Sequence, residues 1–157
     1  MKKAFLYETS LGSVLIAENG DAVTDLCKKE QIDFDDYIIE ETPLLRRAAQ
    51  ELRQYLAGQR QAFSVPLKPS GTEFQHKVWH ALLAIPYGTT CSYQAVAQAI
   101  GQPKASRAIG MANHRNPIMI MIPCHRVIGA NGKLVGYGGG LGTKAQLLAL
   151  EAEHCNH

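Results

Sequence analysis

A thiol, an imidazole and a guanidinium stand side by side at Cys124, His125 and Arg126, inside the run Ile122-Pro123-Cys124-His125-Arg126-Val127. A cysteine reacts as its thiolate, and cationic neighbours favour that form. The run follows an apolar stretch, Pro117 to Met121, that reads as a buried strand stopped by Pro123. A group held at the end of a rigid element is well placed for chemistry. The plain alternative is a cysteine that only packs, since free cysteine is among the most buried residue types. Two features favour reaction. One is the basic neighbours. The other is a glycine-rich loop, Gly136, Gly138, Gly139, Gly140 and Gly142 around Tyr137, where backbone can approach a ligand closely.

The elements that must position this thiol can be read outward from it. Thr143 with Gln146 has the spacing of a capping box and opens a last helix, with Leu147, Leu148 and Leu150 packing and Glu151 among them. A carboxylate on such a face is either a solvated edge residue or a buried group in need of a partner. Upstream, Ser92 caps a short helix from Tyr93 to Ile100, ended by Gly101. Gln102-Pro103 turns into a second helix, Lys104 to about Ala112. Helix, glycine-bearing turn and helix is the helix-turn-helix arrangement. Its second helix carries Lys104, Ser106 and Arg107 among small residues, a composition suited to a nucleic-acid groove. Before it, Thr72 and Gln75 form another capping box, and Phe74, Val78, Ala81, Leu82 and Ile85 keep helical period up to Pro86. Trp79 reads as packing rather than as a stacking platform.

The first part of the chain has a different texture. Residues 3–8, 13–17 and 22–27 read as strands, with Asn19-Gly20 a hairpin signal between the last two. Residues 30–40 are acidic and irregular, with a short strand at 37–39. Thr42-Pro43 opens a helix with Leu45, Ala48, Ala49, Leu52 and Leu56 on its apolar face, ended by Gly58. Pro66, Pro69, Ser70 and Gly71 mark a linker, which sets a boundary between residues 1–65 and 66–157.

Charge divides the same way. Residues 1–63 carry eight Lys/Arg against eleven Asp/Glu, whereas residues 64–157 carry eight against three and all six histidines. A basic second part points to an anionic partner. Cys27, Cys91, Cys124 and Cys155 form no Cys-x-x-Cys and no Cys/His ligand spacing, so no metal is expected. Residues 1–20 lack an apolar signal-peptide core and no run is long enough for a membrane span, so a cytoplasmic location is expected.

From residue 72 to Glu151 the motifs fall in the order of the O6-alkylguanine-DNA alkyltransferases, which this stretch resembles. They are Tyr93 opening a helix, Arg107 in the next, Asn116-Pro117, the Pro-Cys-His-Arg-Val run, the Gly136–Gly140 loop and Leu147-Leu148-x-x-Glu151. The first part resembles the family more loosely. The implied fold is α+β: a small ribonuclease-H-like antiparallel sheet with a helix, then a mostly helical, winged-helix-like domain holding the helix-turn-helix.

The implied activity is single-use DNA repair. An O6-alkylguanine, or an O4-alkylthymine, is flipped out of duplex DNA and its alkyl group passes irreversibly to a cysteine. The resemblance assigns Cys124 as nucleophile. His125 acts through a water, Glu151 orients the imidazole, Tyr93 donates to the leaving base, and Asn116 ties the helix-turn-helix to the active segment. Neighbouring side chains diverge, which favours a water between Cys124 and His125 over direct contact. Arg107 fills the gap left by the base, with Lys104, Ser106, Ser92 and Gln94 also expected at the DNA. Val127, Tyr137, Gly138, Gly139 and Met119 line the expected pocket. Arg126 is expected to pair with backbone or a carboxylate. Gly138 and Met119 depart from the serine and proline of some members, which bears on the range of alkyl sizes. No cofactor is implied, and the protein is expected to act as a monomer on double-stranded DNA. The rival readings are a non-catalytic alkyltransferase-like damage-binding protein, a helix-turn-helix regulator and a thiol hydrolase. The first lacks the cysteine, the second leaves Cys124, His125 and Glu151 unexplained, and the third needs histidine on sulfur.

Overall fold

The computed structural model describes residues 1–134, 137 and 140–155. It divides into two compact units, residues 1–70 and 71–157. The division falls beyond the 65/66 boundary read from composition because backbone bonds tie 66–68 to the first unit. Val23 N–H donates to Pro66 O at 2.9 Å and Lys68 N–H to Val23 O at 2.8 Å.

In the first unit, β1 (Lys3–Thr9), β2 (Gly12–Glu18), β3 (Val23–Lys28) and β4 (Ile38–Ile39) form one sheet in the order β3-β2-β1-β4. β1, β2 and β3 are antiparallel neighbours. β4 runs parallel to β1, so the sheet is mixed rather than antiparallel throughout. The reason lies in the irregular segment 29–37, which returns the chain to the far edge with its direction reversed relative to a hairpin. The Asn19 side chain organises the β2–β3 turn by accepting from Asp21 N and Ala22 N. Val14 to Ala17 are buried without alternation, as a strand covered on both faces should be. Leu15 and Ala17 pack with Ala4, Leu6, Cys27, Ile32 and Tyr37. Helix α1 (Pro43–Leu56) packs on β1 and β2. Thr42 caps it by accepting from Leu45 N, and Leu45, Ala48, Ala49, Leu52 and Tyr55 form its buried face.

The second unit comprises α2 (Glu73–Leu83), β5 (Cys91–Ser92), α3 (Tyr93–Ala99), α4 (Ser106–His114), β6 (Val127–Ile128) and α5 (Leu141–His154). The expected capping box opens α2: Thr72 Oγ1 accepts from Gln75 N, and Gln75 Oε1 accepts from Thr72 N. Trp79 lies in the core of this unit, donating from Nε1 to Ala112 O at 2.9 Å. Helices α3 and α4 pack as the helix-turn-helix, and α4 also lies on α2. β5 pairs in parallel with β6, joining the segment that enters α3 to the one that leaves the cysteine run.

Two elements differ from the sequence reading. Residues 118–122 are buried but the stretch 117–122 is not a strand. They close on themselves, with Met121 N–H on Met119 O, Ile122 N–H on Ile118 O, and Ile120 at φ 74°. A β-branched residue in the left-handed region is costly and persists only where its surroundings fix it. Helix α5 begins at Leu141 after Gly140 (φ 97°), and Thr143 is a buried residue of its first turn rather than its cap. The buried residues of α5 are Thr143, Lys144, Leu147 and Glu151, a face that is mostly polar. That composition hides the helical period that apolar residues would display.

Candidate active site

Two successive local closures place Cys124. Pro123 (φ −81°, ψ 64°) has the dihedrals of an inverse γ-turn, and Cys124 N–H donates across it to Ile122 O at 2.8 Å. Cys124–Arg126 then form one turn of 3-10 helix, and Val127 begins β6. Asn116, just past α4, braces this segment from below. Its Nδ2 donates to Ile122 O at 2.8 Å, and its Oδ1 accepts from Ile118 N at 3.0 Å. Asn116 therefore ties the end of α4 to the cysteine run at Ile122 O and fixes its own turn at Ile118 N. Asn113, which sequence reasoning missed, adds a second tie by donating from Nδ2 to Cys124 O at 3.2 Å.

Cys124, His125 and Arg126 are all buried. Burial pushes the Cys124 thiol up to about 11, against the pull of the Asn116 amide, the Lys144 ammonium and the Tyr137 hydroxyl. The basic sequence neighbours therefore do not yield a standing thiolate, because removal from water outweighs them. At neutral pH the sulfur keeps its proton until something takes it.

Burial also holds the His125 imidazole below its usual range, although Glu151 pulls the other way. Its Nε2 lies 2.7 Å from Glu151 Oε2. The Glu151 carboxyl is surrounded by donors. Arg126 reaches it through Nε at 2.8 Å and Nη2 at 2.9 Å, and Gly88 N–H donates to Oε1 at 3.1 Å. Such a shell suits a carboxylate, which only accepts. Nε2 of a neutral His125 then carries the hydrogen, and Nδ1 carries the lone pair that can accept a proton.

Arg126 also donates from Nη1 to Ile85 O at 2.7 Å, and its guanidinium lies 5.6 Å from the Tyr87 ring centroid. It pairs with both a carboxylate and backbone and holds the segment after α2 against α5. Gly88 is part of the same clasp. At φ 79° its position suits glycine, and an added β-carbon would lie 2.5 Å from Cys155 Cβ.

Lys144 is the other residue that sequence reasoning missed. It is fully buried in α5 and donates from Nζ to Val127 O at 2.6 Å. Burial draws its ammonium down and the Cys124 sulfur draws it up. The spacing Lys144, Leu147, Glu151 was the available signal, since these residues share one helical face.

Tyr93 is the first residue of α3, whose N-cap Ser92 accepts from Ala95 N. Burial raises the Tyr93 hydroxyl and the nearby Cys124 sulfur raises it further, while the Asn113 amide lowers it. The structure thus brings Tyr93, Asn116, Tyr137 and Lys144 to the buried Cys124 thiol and Asn113 to its carbonyl, while His125, next in sequence, pairs with Glu151. Met119 and Val127 are buried in the same segment. Gly138 and Gly139 lie outside the described residues.

The helix expected from Lys104 begins only at Ser106, so Lys104 is exposed in the turn before α4, while Arg107 and Met111 are exposed on α4 itself. Ser106 Oγ instead donates to Gln94 Oε1 at 2.7 Å, and Gln94 Nε2 donates to Pro103 O at 2.9 Å. These two side chains staple the turn between α3 and α4, and the Ser92 hydroxyl serves as a cap.

The chain matches two family descriptions end to end: "6-O-methylguanine DNA methyltransferase, ribonuclease-like domain" over residues 3–69 and "6-O-methylguanine DNA methyltransferase, DNA binding domain" over residues 73–153. It is 50% identical over 149 residues to a methylated-DNA–protein-cysteine methyltransferase of Methanosarcina acetivorans, covering 93% of this chain and 96% of that one. It is 48% identical over 151 residues to the constitutive methylated-DNA–protein-cysteine methyltransferase of Bacillus subtilis, covering 92% of each. Among solved structures, it superposes on the Mycobacterium tuberculosis O6-methylguanine methyltransferase with a TM-score of 0.91 at 42% identity, over 99% of this chain and 96% of that one. A structure of the same mycobacterial protein in complex with DNA gives 0.91 at 44% identity, over 98% and 94%. Matched in both halves, and this similar to relatives along nearly their whole length, the protein belongs to the 6-O-methylguanine DNA methyltransferase family.

Proposed function

We propose that this protein repairs alkylated DNA by moving the alkyl group from O6 of guanine in a duplex onto Cys124, once per molecule. O4-alkylthymine is a second substrate of the same chemistry. The observation that carries the reading is the buried Cys124 followed directly by a buried His125 whose Nε2 lies 2.7 Å from Glu151 Oε2.

The thiol proton passes to His125 Nδ1 through a bridging water. Sulfur displaces the base at the alkyl carbon, so the S–C bond forms as the C–O6 bond breaks. Guanine leaves as an anion; the His125 imidazolium gives the former thiol proton back to water and guanine takes one proton from water at N1, so the net change is alkyl from O6 to sulfur and hydrogen from sulfur to N1. Tyr93 donates its hydroxyl hydrogen to the base while negative charge develops there. Glu151 fixes the imidazole tautomer and Arg126 fixes Glu151, a relay of the same logic as a hydrolytic triad. The thioether offers no route back to the thiol, so the protein is consumed.

The basic α4 face supports DNA as the partner. Arg107 enters the duplex in place of the flipped base, whose extrusion costs a few kcal/mol in general, and Lys104 contacts phosphate. Met119, Val127 and Tyr137 line the pocket, and flexible Met119 sets the alkyl sizes accepted. All four cysteines are unbridged, which supports a reducing compartment such as the cytoplasm. No described helix is long and apolar enough to cross a membrane. The protein works as a monomer.

The test is stoichiometry. With a molar excess of duplex carrying one O6-methylguanine, the guanine restored should equal the protein added and then stop. Continued turnover, or no restoration, would sink the proposal.

A further inference from the structure

We infer that Met111 is a second side chain that enters the duplex, an apolar wedge that packs on the base stack beside the position Arg107 fills and so holds the target base extruded while Cys124 reacts. The inference rests on the function proposed above and adds to it a residue of α4.

Helix α4 has two distinct faces. Ile109, Ala112 and Asn113 are buried, whereas Arg107, Ala108, Met111, His114 and Arg115 are exposed. The inner face is anchored by two bonds. Ala112 O accepts from Trp79 Nε1 at 2.9 Å, and Asn113 Nδ2 donates to Cys124 O at 3.2 Å. Both anchors follow Met111 directly in sequence. The backbone that carries Met111 is therefore fixed to α2 and to the cysteine run, as a group that must register with the reacting thiol should be.

The outer face suits a polyanion. From Phe74 to Leu150 the chain contains no Asp and no Glu, so no acidic side chain of that stretch opposes phosphate. Arg107 stands four residues before Met111 and Arg115 four residues after it, spacings at which side chains are neighbours along a helix. Met111, 59% exposed, is thus the apolar centre of a basic face. Single exposed apolar side chains are ordinary on a protein surface; the position of this one gives it meaning. A thioether gains nothing from phosphate and has no hydrogen to donate to a base edge. The apolar surfaces that DNA offers are the faces of its bases, and these open when one base leaves the stack. Methionine is among the side chains that wedge between base steps, and its unbranched chain adapts to an irregular gap. Arg107 and Met111 then divide the task. The guanidinium occupies the vacated position, and the thioether covers the neighbouring base face that extrusion lays bare.

The experiment compares wild type with Met111→Ala, Met111→Leu and Met111→Gln in single-turnover transfer from duplex O6-methylguanine and from free O6-benzylguanine. Met111 is exposed, so its replacement leaves the fold intact, and melting curves check this. On duplex, Met111→Ala should be roughly 5- to 30-fold slower, the scale of losing one buried apolar side chain. Met111→Leu should stay within about threefold of wild type, as an apolar swap of similar volume. Met111→Gln matches methionine in length but is polar, and should be as slow as alanine. On free O6-benzylguanine all four should react alike. A second readout uses Cys124→Ala, which binds without reacting, and duplexes with 2-aminopurine on either side of the lesion. Fluorescence of at least one probe should rise on binding, and that rise should be lost when Met111→Ala is added. Duplex transfer by Met111→Ala at the wild-type rate, equal losses on both substrates, a glutamine variant as fast as wild type, or probe signals indifferent to Met111 would each overturn the inference. If wild type itself fails to transfer from the duplex, the proposed function has failed instead.

Discussion

Replacing Glu151 with leucine removes the acceptor on which His125, both Arg126 donors and Gly88 N–H converge. Arg126 is 7% exposed and, among the described residues, would keep Ile85 O as its acceptor. Breaking a buried pair by removing one partner costs about 3–5 kcal/mol, because a charge is left without its counter-charge. In a chain of this size each kcal/mol moves the midpoint of melting by about 2–4 °C, so Glu151→Leu should melt about 6–20 °C lower. Replacing the pair together separates charge from chemistry. Arg126→Met with Glu151→Leu substitutes apolar groups for both ions, which is often neutral for stability. The orphaned Gly88 N–H and Ile85 O should each cost about 1 kcal/mol, so most of the lost stability should return. The transfer rate should not return, because His125 Nε2 still lacks its acceptor and the tautomer is no longer fixed. A deficit of roughly 10²–10⁴ is expected, the range for losing positioned general-base help. Melting and single-turnover transfer on the three proteins decide the matter. A double variant as unstable as Glu151→Leu would refute the charge argument, and one that transfers at the wild-type rate would refute the orienting role.

Other outcomes follow from the same geometry. The Cys124 thiol is raised to about 11 by burial, whereas an unfolded cysteine titrates near 8.5. The folded state therefore holds this proton more tightly, and the stabilisation present below about 8.5 is lost as pH rises through 11, a swing of about 3 kcal/mol. Denaturant titrations from pH 8 to 11 should show a shallower alkaline decline in Cys124→Ala than in wild type, and equal slopes would contradict the burial argument. For His125 the shift is downward, so neutral imidazole persists below the ordinary histidine range. The transfer rate should hold as pH falls through about 6.5 and drop only further down; a midpoint at or above 6.5 would count against it. Arg107→Ala should slow transfer from duplex O6-methylguanine far more than transfer from free O6-benzylguanine, and equal losses would remove its role in base extrusion.

Much of the fold was legible because its signals are local. Thr42-Pro43, Thr72 with Gln75 and Asn19-Gly20 each act through bonds within a few residues, and each forms as read. The Cys124, His125 and Glu151 set was legible from motif order. What escaped depends on packing between distant segments. The apolar run 117–122 has the composition of a strand but folds back on itself between two prolines, with Met119 bridged to Ile122. Lys144 sits on a buried face whose polar residues mask its period. Asn113 carries no signal of its own in the helix sequence, yet its amide reaches the Cys124 carbonyl. The basic flank of Cys124 suggested an acidic thiol, and only the three-dimensional burial shows that desolvation prevails. Ser106 and Gln94 have the right chemistry for phosphate, but they are bonded to each other and to the turn.

The account turns on where the alkyl group ends. After incubation with one equivalent of duplex O6-methylguanine, the protein should gain a single methyl group, and peptide mapping should place it on the sulfur of Cys124. Cys27, Cys91 and Cys155 should be unmodified, and Cys124→Ala should gain nothing. A methyl group on another residue, or restored guanine with an unmodified Cys124, would contradict it.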